Sequence, residues 1–213
     1  MKKILMSVDF QKDFVAQTGA LPVPFAPEIS AKIQKRIDDA IYAAKIFTFD
    51  THKKSDYDKS DEKNVYGFPI HCVWGTPGWG FYDIKPTCNI AFNNAISDMT
   101  EPFEMMSFDN EFFFTKDVFN IWDGNNVYAQ WFEKTFPSDE FEIDVVGVAT
   151  NYCVMMNVMG MVERGYKINV IEDCVRGITN TPDGDVDESY DKNITIMKNR
   201  GVKFITSASI EEV

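Results

Sequence analysis

Residues 141–165 read FEIDVVGVATNYCVMMNVMGMVERG, and they contain a strand, a turn and the start of a helix. Ile143 to Val148 is a short apolar, β-branched run with one acidic interruption, as in a strand buried on both faces of a parallel sheet. The small and polar residues at 149–151 suit a turn and a helix cap. Apolar residues then recur near helical spacing from Val154 to Val162. The segment therefore predicts one strand–helix unit of an α/β fold.

Cys153 lies where this strand passes into the first turn of the helix. A thiol in that turn faces the positive end of the helix dipole, which should lower its pKa and favour the thiolate. Free backbone N–H groups of the same turn could hold a developing oxyanion. The alternative is a small buried cysteine that only packs. Ligands bind at the carboxyl ends of strands in α/β sheets, so the position also favours a functional role.

Strands and helices alternate along the whole chain, without an internal repeat or a linker. We predict strands near residues 3–8, 45–49, 103–106, 111–115, 143–148, 167–171 and 202–205. We predict helices at 29–44, 89–97, 125–136 and 190–199, and a polar surface loop at 180–188. The alternation indicates a single doubly wound α/β domain over residues 1–213, with a parallel sheet of about six strands and helices on both faces.

Composition excludes several classes of partner. A net charge of −12 makes nucleic acid and anionic membranes unsuitable partners, because both reward basic patches. No apolar run approaches the roughly 18 residues of a membrane span. The four cysteines, at positions 72, 88, 153 and 174, show no disulfide or zinc-ribbon spacing. We therefore expect reduced thiols and a cytoplasmic protein.

Four residues follow four different predicted strands: Asp9, Asp50, Lys116 and Cys153. Taken singly, a carboxylate there can cap a turn, and a lysine there is usually surface charge. The carboxyl ends of parallel strands lie along one edge of the sheet, so these side chains should converge. A lysine beside a thiol and a carboxylate would stabilise both negative charges.

The only two histidines of the chain flank a polar loop between residues 52 and 71. Imidazole and carboxylate are a normal ligand set for zinc, iron or manganese. Asp50, His52 and His71 could supply three ligands. A fourth could be any of the loop acids Asp56, Asp58, Asp61 and Glu62. The alternative is a solvated acidic loop with two incidental histidines.

Five motifs in this order resemble the isochorismatase-like cysteine hydrolases, and among them the nicotinamidases. They span nearly the whole chain and read VDFQKDF, FDTH, FPIHCVWGTPGW, FTK and GVATNYCV. The resemblance implies a catalytic triad of Asp9, Lys116 and Cys153, acting on a small-molecule amide. It also implies a cis peptide before Ala149, with the N–H groups of Ala149 and Cys153 forming the oxyanion hole.

The resemblance further implies one divalent metal ion, with zinc first and iron or manganese as alternatives. Asp50, His52 and His71 match the metal ligands, and in nicotinamidases the metal binds the pyridine nitrogen. Glu62 matches the remaining ligand position, with Asp58 and Asp61 as alternates. Residues that sandwich the pyridine ring match Phe14 and Phe68. Family members commonly form dimers or tetramers, so a homo-oligomer is expected.

Two segments depart from the family pattern. The residues after the FTK motif, 117–122, read DVFNIW where the family usually has an aromatic-Ser-Ala-Phe-like stretch, so the far wall of the pocket is not predicted. The loop at 181–189 is also longer than usual. Substrate choice therefore stays open between nicotinamide and the ureido, carbamoyl or maleamate-type amides of metal-independent relatives. A catalytically silent small-molecule-binding module on the same fold is the remaining alternative.

Overall fold

The computed structural model describes residues 1–179 and 187–210. Within these residues, seven strands form one sheet: β1 (Lys2–Val8), β2 (Tyr42–Asp50), β3 (Met105–Phe108), β4 (Glu111–Lys116), β5 (Phe141–Val148), β6 (Lys167–Arg176) and β7 (Lys203–Ile205). Their order is β3-β4-β2-β1-β5-β6-β7. The predicted loop at 180–188 lies mostly outside the described residues.

Six of these strands are parallel, which confirms the predicted doubly wound sheet. The seventh, β3, pairs with β4 in the antiparallel direction and forms one edge of the sheet. Only two residues, Asp109 and Asn110, join β3 to β4, and Asp109 has a φ of 53°. A connection that short makes a hairpin, because a parallel pair needs a long crossover.

Helices cover both faces of the sheet. They are α1 (Lys12–Val15), α2 (Ser30–Ile37), α3 (Lys54–Tyr57), α4 (Asp61–Asn64), α5 (Asn89–Ser97), α6 (Ile121–Gly124), α7 (Asn126–Thr135), α8 (Met155–Glu163) and α9 (Ser189–Asn199). Side chains of α1, α2 and α5 pack into one core layer, and those of α6 to α9 pack into the other. Every helix of the described residues is too short or too polar to span a bilayer.

The central strand β1 alternates its side chains between the two core layers. Ile4, Met6 and Val8 belong to one layer and Leu5 to the other, and all four are fully buried. Burial of an aliphatic side chain of this size contributes about 1.5–3 kcal/mol. The chain winds outward from β1 in both directions, toward β2 and β4 on one side and β5 and β6 on the other. The gap between the carboxyl ends of β1 and β5 is therefore the switch point where such sheets bind ligands.

Several predicted boundaries were wrong. The strand predicted for 103–106 lies instead at Met105–Phe108. The helix predicted for 29–44 ends at Ile37, and the following strand begins at Tyr42. Asp39 accepts a hydrogen bond from the Ile41 N–H, so the chain turns there and Ala44 enters β2. The strand predicted for 167–171 continues to Arg176, through the acidic residues that were expected to end it.

Candidate active site

Asp9 follows β1, and its side chain contacts residues of β2 and β4. Its φ of 47° turns the chain sharply, and its side chain is fully buried. The Thr48 hydroxyl donates a 2.6 Å hydrogen bond to Asp9 Oδ1. Oδ2 lies 2.8 Å from the Lys116 Nζ and accepts no other hydrogen bond from the described residues. One carboxylate oxygen is therefore anchored, and the other is ion-paired and free to accept a proton.

Lys116 ends β4 and contacts groups at or just beyond the carboxyl ends of three other strands. Besides Asp9, its Nζ lies 3.3 Å from Asp50 Oδ1 and 3.6 Å from Cys153 Sγ. The lysine side chain is fully buried. The structure therefore brings together the three side chains predicted to form the triad, with the ammonium in contact with both the carboxylate and the sulfur.

Cys153 lies in a wide helical turn, Thr150–Val154, that joins β5 to α8. The peptide between Val148 and Ala149 is cis, as the family resemblance implied. Gly147, just before it, has a φ of 114°, and a Cβ there would meet the Val8 carbonyl oxygen at 2.1 Å. Only glycine fits this close approach of β5 to β1. The close approach of β5 to β1, after which the chain turns and places the thiol near Lys116, therefore depends on Gly147.

Two asparagines hold the turn, and the sequence analysis missed both. Asn157 donates to the Cys153 carbonyl oxygen at 2.6 Å and to the Phe119 carbonyl oxygen at 3.1 Å. Asn151 donates to the Ile178 carbonyl oxygen and accepts from the Ile178 N–H, both at 3.0 Å. The turn that contains Cys153 is thus tied to two neighbouring segments. A single sequence offers no signal for the contacts with Phe119 and Ile178, because both residues are distant along the chain.

The electrostatics of the triad differ from the sequence prediction in one respect. Burial raises the pKa of the Cys153 thiol well above its ordinary value, and the nearby Lys116 ammonium opposes this only in part. Burial also raises the pKa of Asp9, again against Lys116. The pKa of Lys116 itself is raised well above its usual range, because Asp50 and Asp9 outweigh its desolvation. The prediction of a low thiol pKa was wrong, because burial of the sulfur outweighs the positive charge of Lys116.

Asp50, His52, Glu62 and His71 form a second buried cluster next to the triad. One potential ligand atom from each lies within 4.8 Å of all the others. His52 Nε2 is 3.0 Å from Asp50 Oδ2, and His71 Nε2 is 2.9 Å from the same oxygen. Both ring nitrogens also lie 3.1 Å from Glu62 Oε2. Two imidazole nitrogens and two carboxylates thus converge on one point.

This donor set fits a divalent cation. Two nitrogens and two carboxylate oxygens suit zinc, and they also suit iron or manganese. Glu62 Oε1 is buried and has no hydrogen-bond partner among the described residues. Burial alone would lower the pKa of each imidazole, but the carboxylates raise it to about 10 for His52 and about 9 for His71. The cluster thus attracts positive charge strongly, as a cation site should.

The surroundings orient the cluster's side chains. His71 Nδ1 lies 2.8 Å from the Pro69 carbonyl oxygen, an arrangement that leaves Nε2 facing the cluster. Gln11 donates to the Asp50 carbonyl oxygen and accepts from the Asp50 N–H, both at 2.8 Å. Gln11 is fully buried, and its local sequence does not predict this contact.

Of the three residues predicted as candidates for the remaining ligand position, Glu62 is the one that lies in the cluster. Glu62 is 3% exposed, whereas Asp58 and Asp61 are both exposed and lie outside the cluster. Asp58 instead pairs with Lys63. Asp56, also a candidate at first, is exposed as well. The ligand roles themselves stay predictions.

A cavity connects the two clusters. Cys153 and Ala149 line it on one side, and Asp50 and His71 line it on another. Phe14 and Phe68, predicted to sandwich a ring, both form part of its wall. The wall that the sequence could not predict contains Phe119 and Tyr152, whose rings lie 5.6 Å apart. The predicted oxyanion-hole role of Ala149 and Cys153 stays a prediction.

Comparisons with known proteins agree with this architecture. A model of the isochorismatase domain matches residues 3–209. The nicotinamidase of Saccharomyces cerevisiae is 26% identical over 206 residues, which cover 85% of this chain and 91% of that protein. The nicotinamidase of Escherichia coli is 27% identical over 203 residues, which cover 84% and 85%.

Solved structures give the same fold at lower identity. A pyrazinamidase of Pyrococcus horikoshii in complex with zinc superposes with a TM-score of 0.69 at 22% identity, covering 97% of this chain and 99% of that one. An Acinetobacter baumannii nicotinamidase/pyrazinamidase gives 0.73 at 20% identity, covering 98% of each chain. Since the family model matches almost the whole chain, the protein belongs to the isochorismatase domain family.

Proposed function

We propose that this hydrolase is a nicotinamidase, which converts nicotinamide and water to nicotinate and ammonia through a thioester on Cys153. Relatives at 26–27% identity carry that name. The observation that carries the proposal is the shared cavity: the candidate nucleophile and two residues of the candidate metal cluster line the same space. The cavity itself is narrow, about 20 Å³ in volume, so we propose that Phe14 and Phe68 move apart to take the ring of a small aromatic amide between them while its carboxamide approaches the sulfur.

In the acylation step, Cys153 Sγ attacks the carboxamide carbon and Asp9 accepts the thiol proton. The raised thiol pKa makes such a base necessary, and Asp9 Oδ2 has no competing hydrogen bond among the described residues. The N–H groups of Ala149 and Cys153 are proposed to stabilise the oxyanion. As the C–N bond breaks, Asp9 returns the proton to the leaving nitrogen, and ammonia departs.

In the deacylation step, water replaces the sulfur. Asp9 takes a proton from the water, whose oxygen attacks the thioester carbon. The C–S bond then breaks, and the proton passes to the departing sulfur. Lys116 keeps its contacts to Asp9 and Cys153 and so offsets the negative charge that moves between them. Nicotinate leaves, and the thiol is restored.

Asp50, His52, Glu62 and His71 are proposed to hold one divalent cation, most simply zinc, with iron and manganese as alternatives. When bound, it supplies a Lewis acid that holds a lone-pair donor of the substrate, such as a pyridine nitrogen. Asp50 and His71 line the same cavity as Cys153, so a substrate atom held at the cation would lie in the space that the sulfur also faces.

Ammonia release tests the proposal. Wild-type protein is assayed with nicotinamide, pyrazinamide and a ureido amide, each with and without a chelator. Cys153→Ala should abolish release from nicotinamide, whereas Cys88→Ala should leave it unchanged, because Cys88 lies on the sheet edge away from the cavity. Turnover of the ureido amide alone, unaffected by the chelator, would instead support a metal-independent amidase. No turnover of any amide would support a binding module.

The wider setting is also a proposal. Nicotinate is a precursor that NAD salvage consumes, so we place the reaction in that pathway. All four cysteines are free in the structure, which supports a reducing compartment such as the cytoplasm.

A further inference from the structure

A second, larger opening reaches the candidate metal cluster from a different direction. This cleft has a volume of about 780 Å³. Its walls come from the loop and short helices at 51–66, from residues 101–104 and from residues 115–126. Neither Cys153 nor either ring of the proposed sandwich lines it. The two openings share Phe119 in their walls, but only the cavity reaches the candidate nucleophile.

The four residues of the cluster divide between the two openings. Asp50 and His71 line the cavity that contains the nucleophile, whereas His52 and Glu62 line the cleft. His52 and Glu62 are each only 3% exposed, so the cleft narrows to the interior at this point. The cluster thus forms the partition between the two openings, and an ion held there could be reached from either one.

The cleft is lined by more acidic than basic side chains, so its net charge attracts cations. Among the described residues, six carboxylate side chains and three lysines line it. One lysine, Lys53, is already paired with Glu101, and another, Lys116, is engaged by Asp9 and Asp50. A concave surface with an excess of one charge concentrates ions of the opposite sign and raises their association rate. Its field therefore favours cations and disfavours the carboxylate product.

An unpartnered polar atom at the inner end also points to a cation. Glu62 Oε1 is buried and has no hydrogen-bond partner among the described residues, while Oε2 lies 3.1 Å from both histidine rings. A buried carboxylate oxygen without a donor is costly unless something positive binds it. This oxygen belongs to one of the two cluster residues that line the cleft.

We propose that the cleft is the entrance for the divalent cation, so that metal exchange and substrate binding use separate routes. The inference rests on the metal site of the proposed function. A cation would enter between the acidic side chains of residues 101–117, lose water as it meets Glu62 and His52, and complete its coordination with Asp50 and His71. The amide would never need to leave the cavity for the ion to exchange.

The rate of zinc loading tests this. Metal-free protein is mixed rapidly with Zn²⁺, and free zinc is followed with a chromogenic indicator. The test variant carries Glu104→Lys and Asp117→Lys, two exposed cleft residues outside the catalytic cluster. The matched control carries Asp139→Lys and Glu140→Lys, equally exposed but at the amino end of β5. Both variants change net charge equally.

At low ionic strength we expect the cleft variant to load zinc at least about threefold more slowly than the control, with the difference shrinking as salt screens the charges. Release of zinc from the cleft variant to a chelator should also be slower than from the control. The affinity for zinc should therefore change less than the loading rate or the release rate. Protein alkylated at Cys153, as verified by mass spectrometry, should load zinc at the unmodified rate, because only the cavity is blocked.

Each contrary result has a distinct meaning. Equal loading rates for the two variants, or zinc loading abolished by the alkyl group, would overturn the separate entrance while leaving the metal site and the amidase intact. Failure of the wild-type protein to bind zinc or any other divalent cation would overturn the metal site, and with it both the entrance and the metal-dependent part of the proposed function.

Discussion

Lys116 is the one side chain that links the candidate triad to the candidate metal cluster through ion pairs among the described residues. It contacts Asp9 in the candidate triad and Asp50 in the candidate metal cluster, and all three side chains are buried. Removing a lysine from such a site leaves two carboxylates without their shared counter-charge. The cost of breaking a buried ion pair by losing one partner is about 3–5 kcal/mol.

We therefore expect Lys116→Met to destabilise the protein by about 3–5 kcal/mol and to abolish ammonia release. Denaturant unfolding and the ammonia assay measure the two effects. Lys45→Met is the control: this lysine is also buried and lies on β2, but within residues 1–179 and 187–210 its only ion pair is a loose 4.0 Å contact with Glu111. Equal stability losses in the two variants would contradict the central position of Lys116.

The raised pKa of Asp9 gives a pH prediction. Asp9 must be ionised to accept the thiol proton, so activity should be lost as the pH falls through its pKa. Burial raises that pKa, and the acid limb of kcat/KM should therefore lie above the ordinary aspartate value of about 3.9. Circular dichroism at each pH separates this limb from acid unfolding. A limb at or below the ordinary value, in folded protein, would argue against Asp9 as the base.

For single residues, the sequence predicted which side chains lie near one another better than it predicted their pKa values. Asp9, Lys116 and Cys153 could be proposed as neighbours because parallel strands align their carboxyl ends. The thiol pKa could not be predicted, because burial outweighs the positive charge near the sulfur, and burial depends on the assembled core. Gln11 escaped notice for a similar reason: its hydrogen bonds to Asp50 join residues 39 positions apart.

Helix α8 follows the turn that contains Cys153, and it also contacts the segment that leads into α6. Through Asn157 it contacts the Cys153 carbonyl oxygen, the Phe119 carbonyl oxygen and the Ile121 N–H. The last two lie just before and at the start of α6, so one buried amide fixes the cavity wall relative to the sulfur. An apolar residue at this position would leave the Ile121 N–H and the Phe119 carbonyl without partners.

Asn157→Leu should lower the stability by about 1–3 kcal/mol, or roughly 2–12 °C in Tm, since it leaves buried polar groups unpaired. It should also raise KM by loosening Phe119 in the cavity wall. A thermal melt and steady-state kinetics test both effects. Asn93→Leu, on the exposed side of α5, changes the same chemical groups and should alter neither quantity. An unchanged KM for Asn157→Leu would refute the link between α8 and the wall.

Element types were predicted well and element ends poorly. The predicted helix at residues 89–97 matches α5 in full, because its apolar residues lie between clear polar boundaries. The helix predicted for residues 29–44 ends at Ile37 instead. Ile41 and Ala44 continue the helical spacing, yet the sheet takes Tyr42 onward because β2 pairs with β1 from that residue. Strand pairing is a long-range interaction that local periodicity does not reveal.

At the scale of the whole molecule, one sheet joins strands from residue 2 to residue 205. The prediction of a single domain implies one cooperative unfolding transition, with tryptophan fluorescence and circular dichroism changing together. Two separated transitions would contradict it. The oligomeric state stays a prediction that light scattering can test.

Metal removal should also act on the whole molecule, because an ion that binds only the folded state stabilises it. At a free concentration one hundred times Kd the effect is about 2.7 kcal/mol, which corresponds to roughly 5–11 °C in Tm for a chain of this size. Dialysis against a chelator should lower Tm by that amount, and zinc should restore it. A Glu62→Gln variant should show a smaller zinc-dependent shift. A wild-type Tm indifferent to chelator and zinc would contradict the cation site.

The account depends most on a covalent bond between substrate and Cys153. The direct measurement is to stop turnover of nicotinamide with acid within milliseconds, digest the protein, and locate the acyl group by mass spectrometry. We predict a nicotinoyl group on the peptide that contains Cys153, and its absence in the Cys153→Ala variant. Active protein that releases ammonia while no cysteine becomes acylated, or that acylates Cys72 or Cys174 instead, would contradict the mechanism.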